Sequence, residues 1–223
     1  MSLIVKICGL STEETLDAAL DAGADMIGIN FFPPSPRFVS LDTGRRLAER
    51  ARGRAEIVAL SVDMDDAGLA EIVDALRPDW LQLHGKDSPE RTAAVRARFP
   101  AKVMKAMHVA VAADLMRAAD YAEAADRILL DATPPKGATR PGGLGKPFDW
   151  TILRGFRPAK PYLLSGGLTP RNVGEALRIS GAPGVDVSSG VETSPGRKDP
   201  DLIRAFIAAA RRAAVAEPER AAS

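Results

Sequence analysis

Leu3-Ile4-Val5-Lys6-Ile7-Cys8-Gly9 is the stretch that decides how the rest of the chain reads. Its apolar, β-rich run is that of a strand. Side chains alternate across a strand, so Lys6 and Cys8 share one face while Val5 and Ile7 share the other. The pattern recurs. Trp80-Leu-Gln-Leu runs into His84, Arg127-Ile-Leu-Leu into Asp131, and Val185-Asp-Val into Ser188. Gln82 with His84, Leu129 with Asp131, and Asp186 with Ser188 each face opposite a purely aliphatic pair. Polar groups gathered at the C-terminal ends of strands that alternate with helices mark the active-site rim of a (β/α)8 barrel.

Eight such runs are present: Leu3–Cys8, Met26–Phe31, Ile57–Val62, Trp80–His84, Val103–Met107, Ile128–Asp131, Tyr162–Ser165 and Val185–Ser188. Their spacing is that of one βα unit each. Helical segments lie between them. Ser11 and Glu14 form a capping-box pattern with Gly23 as a stop. Leu69, Ile72, Val73 and Leu76 make a sheet-facing stripe that ends before Pro78. Ser88-Pro89, Thr169-Pro170 and Asp199-Pro200 each open a helix with proline behind a capping residue. Ala110 to Tyr121 and Phe148 to Leu153 are the weakest helical segments. The fold class expected is α/β, a single (β/α)8 TIM barrel over residues 1–215, with 216–223 as a disordered tail. A doubly wound dinucleotide domain would carry G-x-G-x-x-G after its first strand, and Cys8-Gly9-Leu10-Ser11 does not.

Composition narrows the function. The 223 residues hold 46% apolar and 26% charged side chains, enough for one buried core. With 30 basic against 29 acidic residues the net charge is +1, which gives no electrostatic case for nucleic acid or an anionic membrane. One cysteine makes no internal disulfide, no apolar run reaches membrane-spanning length, and the N-terminus lacks a basic start before a long apolar region. A cytoplasmic protein is expected. The helix faces show no large apolar seam, which leaves monomer and homodimer both open.

Several residues carry candidate chemistry. Cys8 reads either as a small buried hydrophobe or as a reactive thiol. Asp131 closes an apolar strand, where a carboxylate is costly to bury unless something pairs with it. His84 stands at another strand end and serves equally as a backbone hydrogen-bonder; His108 reads as a loop residue. Lys6 and Asp186 form an ion pair if strands one and eight are neighbours. Ser165-Gly166-Gly167 and Ser188-Ser189-Gly190 follow strands seven and eight, where barrels place a phosphate on glycine-rich turns. Phe32 to Ser40 is a proline-stiffened arm bearing Arg37, a bidentate partner for a carboxylate or else a solvated charge. Ala132 to Pro147, with Gly137, Gly142, Gly143, Gly145, Lys136, Arg140 and Lys146, is long enough to suggest a lid.

These motifs together resemble one family, phosphoribosylanthranilate isomerase of tryptophan biosynthesis. The likeness runs through Lys6-Ile-Cys-Gly, Gly28-Ile-Asn-Phe-Phe, Ser35-Pro-Arg, Leu81-Gln-Leu-His-Gly, Leu129-Leu-Asp, Gly142-Gly-Leu-Gly-Lys, Phe148-Asp-Trp, Ser165-Gly-Gly-Leu and Asp186-Val-Ser-Ser-Gly-Val-Glu. The resemblance implies a barrel without metal or organic cofactor that performs an Amadori rearrangement on a small phosphosugar. It makes Cys8 the general base and Asp131 the general acid. It gives the anthranilate carboxylate to Arg37 and the phosphate to Gly166, Gly167, Ser189 and Gly190, with His84 and Ser188 beside the substrate. Leu144 stands where the family usually has a hydroxyl residue. The rival readings are a histidine-pathway type of aminoaldose isomerase, which uses two aspartates, a phosphosugar-binding barrel without turnover, and a cysteine hydrolase built on Cys8, His84 and Asp131.

Overall fold

The computed structural model describes residues 3–134, 137, 142 and 147–221. Most of the expected lid, with Leu144, lies outside the described residues. Eight parallel strands close into a barrel: β1 (Ile4–Cys8), β2 (Met26–Asn30), β3 (Glu56–Ser61), β4 (Trp80–Leu83), β5 (Lys102–Val109), β6 (Arg127–Ala132), β7 (Tyr162–Leu164) and β8 (Gly184–Val187). All eight expected strands are present, within a few residues at their ends. β8 returns to β1 with Lys6 directly opposite Asp186.

Strand parity sorts the side chains as the alternation requires. Met26, Val58, Trp80, Met104, Ala106, Leu129 and Leu163 fill the barrel. Val5, Ile7, Leu81, Leu83, Ile128, Leu130, Val185 and Val187 point out into a second apolar layer beneath the helices. That outer layer is covered by α1 (Glu13–Asp21), α2 (Leu41–Ala51), α3 (Asp66–Leu76), α4 (Pro89–Arg98), α5 (Val173–Ser180) and α6 (Pro200–Ala221). Leu69, Ile72 and Leu76 bury the inner face of α3, and Arg77 ends it with φ 46° just before Pro78. Ile203, Phe206, Ile207 and Ala210 do the same for α6, whose backbone continues past Val215.

Local signals were less decisive than the strand pattern. Thr12, not Ser11, caps α1, its hydroxyl accepting from Thr15 N. No helix opens at Thr169-Pro170. The Asn172 side chain accepts from Thr169 N at 2.7 Å and donates to Gly167 O at 2.9 Å, which holds 169–172 as a turn and delays α5 to Val173. The two weak segments form only 3-10 helix, Ala112–Tyr121 and Trp150–Leu153. His108 is a strand residue, because β5 runs on to Val109.

Lys6 is among the largest fully buried side chains of the described residues, and its Nζ donates to Asp186 Oδ1 at 2.8 Å. Burial works to strip the ammonium of its proton, yet Asp186 and Cys8 outweigh it and raise its pKa. Removing one partner of a buried pair strands the other charge. Lys6→Met is therefore expected to cost about 3–5 kcal/mol in urea unfolding; a loss under about 1 kcal/mol would show that the pair does not hold the seam.

Candidate active site

The strand ends of one barrel face open on a cleft. Cys8, Arg37, His84, Asp131, Gly166, Gly167, Ser188, Ser189 and Gly190 all line it. Residues 182 positions apart in sequence thus meet because each follows the same event, the end of a parallel strand.

Cys8 ends β1 and is 5% exposed. Burial pushes its thiol up; Lys6 and Lys198 pull it down, while Asp186 adds to the rise. The resting thiol is therefore protonated at neutral pH. Asp131, from β6, has Oδ1 accepting from its neighbour Ala132 N at 2.9 Å and Oδ2 3.3 Å from His84 Nε2. The Gln82 amide nitrogen lies 3.3 Å from His84 Nδ1. With that amide donating, the ring proton sits on Nε2, close to Asp131 Oδ2 but without the alignment of a hydrogen bond. His108 pairs in register with Asp131 across β5 and β6, and its ring centroid is 5.8 Å from that of His84.

The turn after β7 and the turn after β8 approach each other through glycine. Gly166 has φ 87°, and a Cβ there would stand 2.5 Å from Ala132 N. A Cβ on Gly190 would overlap the carbonyl of Leu168. Only backbone of this kind brings several N–H groups to one anion.

The arm after β2 folds on its own side chains. Asn30 Oδ1 accepts from Phe32 N at 2.8 Å, its Nδ2 donates to Ser35 Oγ at 3.2 Å, and Ser35 Oγ accepts from Arg37 N at 3.2 Å. Arg37 is 4% exposed, which overturns the solvated-charge alternative. Its Nε and Nη2 donate to Glu192 Oε1 and Oε2 at 2.6 and 2.8 Å. Lys198 Nζ reaches the same carboxylate at 2.8 Å. Lys198 escaped the sequence reading, and Glu192 entered it only as the end of the Asp186-to-Glu192 motif, without a role. The available signal was Pro195-Gly196, a turn dipeptide set between two charged residues just past the strand-eight turn.

A family model described as N-(5'phosphoribosyl)anthranilate (PRA) isomerase matches residues 5–209. The chain belongs to the phosphoribosylanthranilate isomerase family. It is 62% identical over 211 residues to the N-(5'-phosphoribosyl)anthranilate isomerase of Rhodopseudomonas palustris strain BisA53, covering 95% of this chain and 97% of that one. Over 213 residues it is 62% identical to the enzyme of that name from Afipia carboxidovorans, covering 96% and 91%. Among solved structures, phosphoribosyl anthranilate isomerase from Thermotoga maritima superimposes with a TM-score of 0.85 at 34% identity, covering 94% and 99%. A phosphoribosyl anthranilate isomerase in complex with reduced 1-(o-carboxyphenylamino)-1-deoxyribulose 5-phosphate gives 0.82 at 32%, with the same coverage.

Because Cys8 is the sole cysteine, its ionisation is directly readable. The thiolate is the form that alkylates, and a raised pKa shifts its appearance to higher pH. Iodoacetamide labelling followed by mass spectrometry is expected to be slow at neutral pH and still climbing above about pH 9. A plateau already reached below about pH 8 would show an activated resting thiolate instead.

Proposed function

We propose that the protein converts N-(5-phosphoribosyl)anthranilate to 1-(2-carboxyphenylamino)-1-deoxyribulose 5-phosphate, the isomerisation step of tryptophan biosynthesis, in the cytoplasm, with residues 1–215 as the catalytic unit. The observation that carries this reading is the convergence of a thiol, a carboxyl group not tied up in the Lys6–Asp186 pair, a buried arginine and two glycine turns on a single cavity. An aminoaldose phosphate bearing a benzoate needs a proton donor, a proton acceptor and two anion sites, and these four elements match them.

In this mechanism Asp131 gives a proton to the ribose ring oxygen. The C1′–O bond breaks with its electron pair going to that oxygen, and the anilino nitrogen lone pair closes a C1′=N iminium. Cys8, as the thiolate left once its own proton has passed to solvent, then takes the C2′ proton. The released pair forms a C1′=C2′ double bond and neutralises the nitrogen, and the resulting enolamine takes up a proton at C1′ while its C2′ hydroxyl gives one up to become the ketone. No atom is gained or lost.

The raised thiol pKa fits this order of events. Desolvation outweighs the pull of Lys6 and Lys198 on the thiolate, and the iminium adds a further cation beside it. The base is thus strengthened by the intermediate it must deprotonate. His84, 8% exposed and with Nε2 3.3 Å from Asp131 Oδ2, packs beside the acid and limits its movement. Arg37 would take the benzoate carboxylate, and the backbone N–H groups of Gly166, Gly167, Ser189 and Gly190, with Ser188 alongside, would take the phosphate.

Each proton transfer by a positioned group contributes roughly a hundred- to ten-thousand-fold. Cys8→Ala and Asp131→Asn are each expected to lower kcat by that order while leaving the affinity for a reduced product analogue within a few-fold. The assay follows the loss of anthranilate-type fluorescence with substrate generated in situ. Near-normal turnover in either variant would remove that residue's role, and a folded wild-type protein without turnover would favour a binding barrel.

A further inference from the structure

Arg37 faces the cavity, yet two of its donors are spent on a carboxylate of the protein itself. A guanidinium neutralised by Glu192 has little charge left for an anionic ligand. The third member of the cluster changes that balance. Lys198 Nζ bonds Glu192 Oε1 at 2.8 Å and is buried with it, the side chains of Lys198, Glu192 and Arg37 being 1%, 3% and 4% exposed. Two cations on one carboxylate leave the trio with one net positive charge inside a region shielded from water. There it acts on a ligand far more strongly than a surface charge does.

The cluster is also mechanically closed. Glu192 and Lys198 sit on the two strands of a small antiparallel hairpin, Glu192–Ser194 and Arg197–Lys198. At its turn Gly196 presses on the arm so closely that a Cβ would overlap the carbonyl of Pro36, and Gly196 N donates to Glu192 Oε2 at 3.1 Å. Lys198 Nζ further donates to Ser188 O at 2.9 Å and Ser188 Oγ at 3.3 Å, in the turn that follows β8. One ammonium therefore ties the arm that bears Arg37 to the turn read as the phosphate site.

We propose that Lys198 is a positioning and specificity residue. By compensating Glu192, which orients Arg37, it supplies the net charge with which the site selects a ligand carrying an aromatic carboxylate. This rests on the assignment of that carboxylate to Arg37. The groups facing Lys198 are Glu192, Arg37 and Cys8, and burial lowers its pKa to about 8 against the pull of Glu192. Loss of the Lys198 proton removes the net charge, so carboxylate selection should weaken as pH rises through that value. Glu192 stays ionised throughout, since the hydrogen bonds of Arg37 and the charge of Lys198 outweigh burial and hold its carboxyl below the usual range.

The test compares two ligands by equilibrium titration: reduced 1-(o-carboxyphenylamino)-1-deoxyribulose 5-phosphate, and the same compound with plain aniline in place of anthranilate. The readout is the ratio of their affinities. Lys198→Met is expected to reduce the ratio about tenfold to a hundredfold, whereas a merely structural role would weaken both ligands alike and leave the ratio unchanged. In the Cys8→Ala background, where no thiol titrates, the ratio should fall between about pH 7 and pH 9, and this series decides the matter even if Lys198→Met does not fold. A pH-independent ratio overturns the proposal. Arg37→Met separates the two levels: a ratio insensitive to that change refutes the assignment of Arg37 itself, while a ratio that collapses with Arg37→Met but survives Lys198→Met refutes the inference alone.

Discussion

A fully buried ammonium at the seam between the first and last strands constrains everything around it. Lys6 lies inside the barrel, where an uncompensated charge is prohibitive. It is tolerated because β8 returns beside β1 with Asp186 in register. Closure in any other register would separate the pair by a strand step and place Asp186 against apolar neighbours. The pair therefore does more than fill space, since it distinguishes the correct closure from shifted ones. Ser165 Oγ, from the end of β7, donates to the second oxygen of Asp186 at 3.2 Å, extending the polar seam across a third strand end.

The same seam sets the electrostatics of the cavity. Cys8 lies one strand step beyond Lys6 on the inward face, so the thiol feels the ammonium that lowers its pKa and the carboxylate that raises it. These two influences oppose each other, and burial decides the result in favour of the neutral thiol. Charge elsewhere around the rim follows the same economy. Lys6 is matched by Asp186, and Arg37 with Lys198 exceeds Glu192 by one. A chain with a net charge of only +1 thereby keeps a localised positive spot where an anionic ligand is expected.

What the sequence disclosed was what strand periodicity carries. A period of two sorts side chains without knowledge of their partners, so the inward set of Lys6, Cys8, Gln82, His84, Asp131 and Asp186 and the aliphatic outward set were readable before any contact was known. Readings that depended on competition between neighbours were less secure. Ser11 and Thr12 both offer a capping hydroxyl, and the turn geometry selects Thr12. Thr169-Pro170 looks like a helix start until the side chain of Asn172 claims the Thr169 N–H. His108 reads as a loop residue, yet Val109 beyond it continues the outward apolar parity, and that continuation is what β5 follows. The role of Glu192 and Lys198 stayed hidden for a different reason. Their meaning comes from Arg37, 155 residues away from Glu192 in the chain, and no local pattern encodes that meeting.

On the proposed reading, the placement of the acid and the base on opposite kinds of support has a chemical sense. Asp131 is held by its neighbour's N–H, with the His84 ring packed alongside. It must deliver a proton to one defined ring oxygen, a step that rewards rigid aim. Cys8 is held by charge balance instead. It must accept a proton from carbon only after the ring has opened, and a permanently ionised thiolate would be open to alkylation and oxidation in the interval between turnovers. Burial keeps it neutral until an adjacent positive charge arrives, which makes the base responsive to the intermediate, whereas the acid is prepared for the substrate. The order of the two proton transfers is in this way written into how each residue is stabilised.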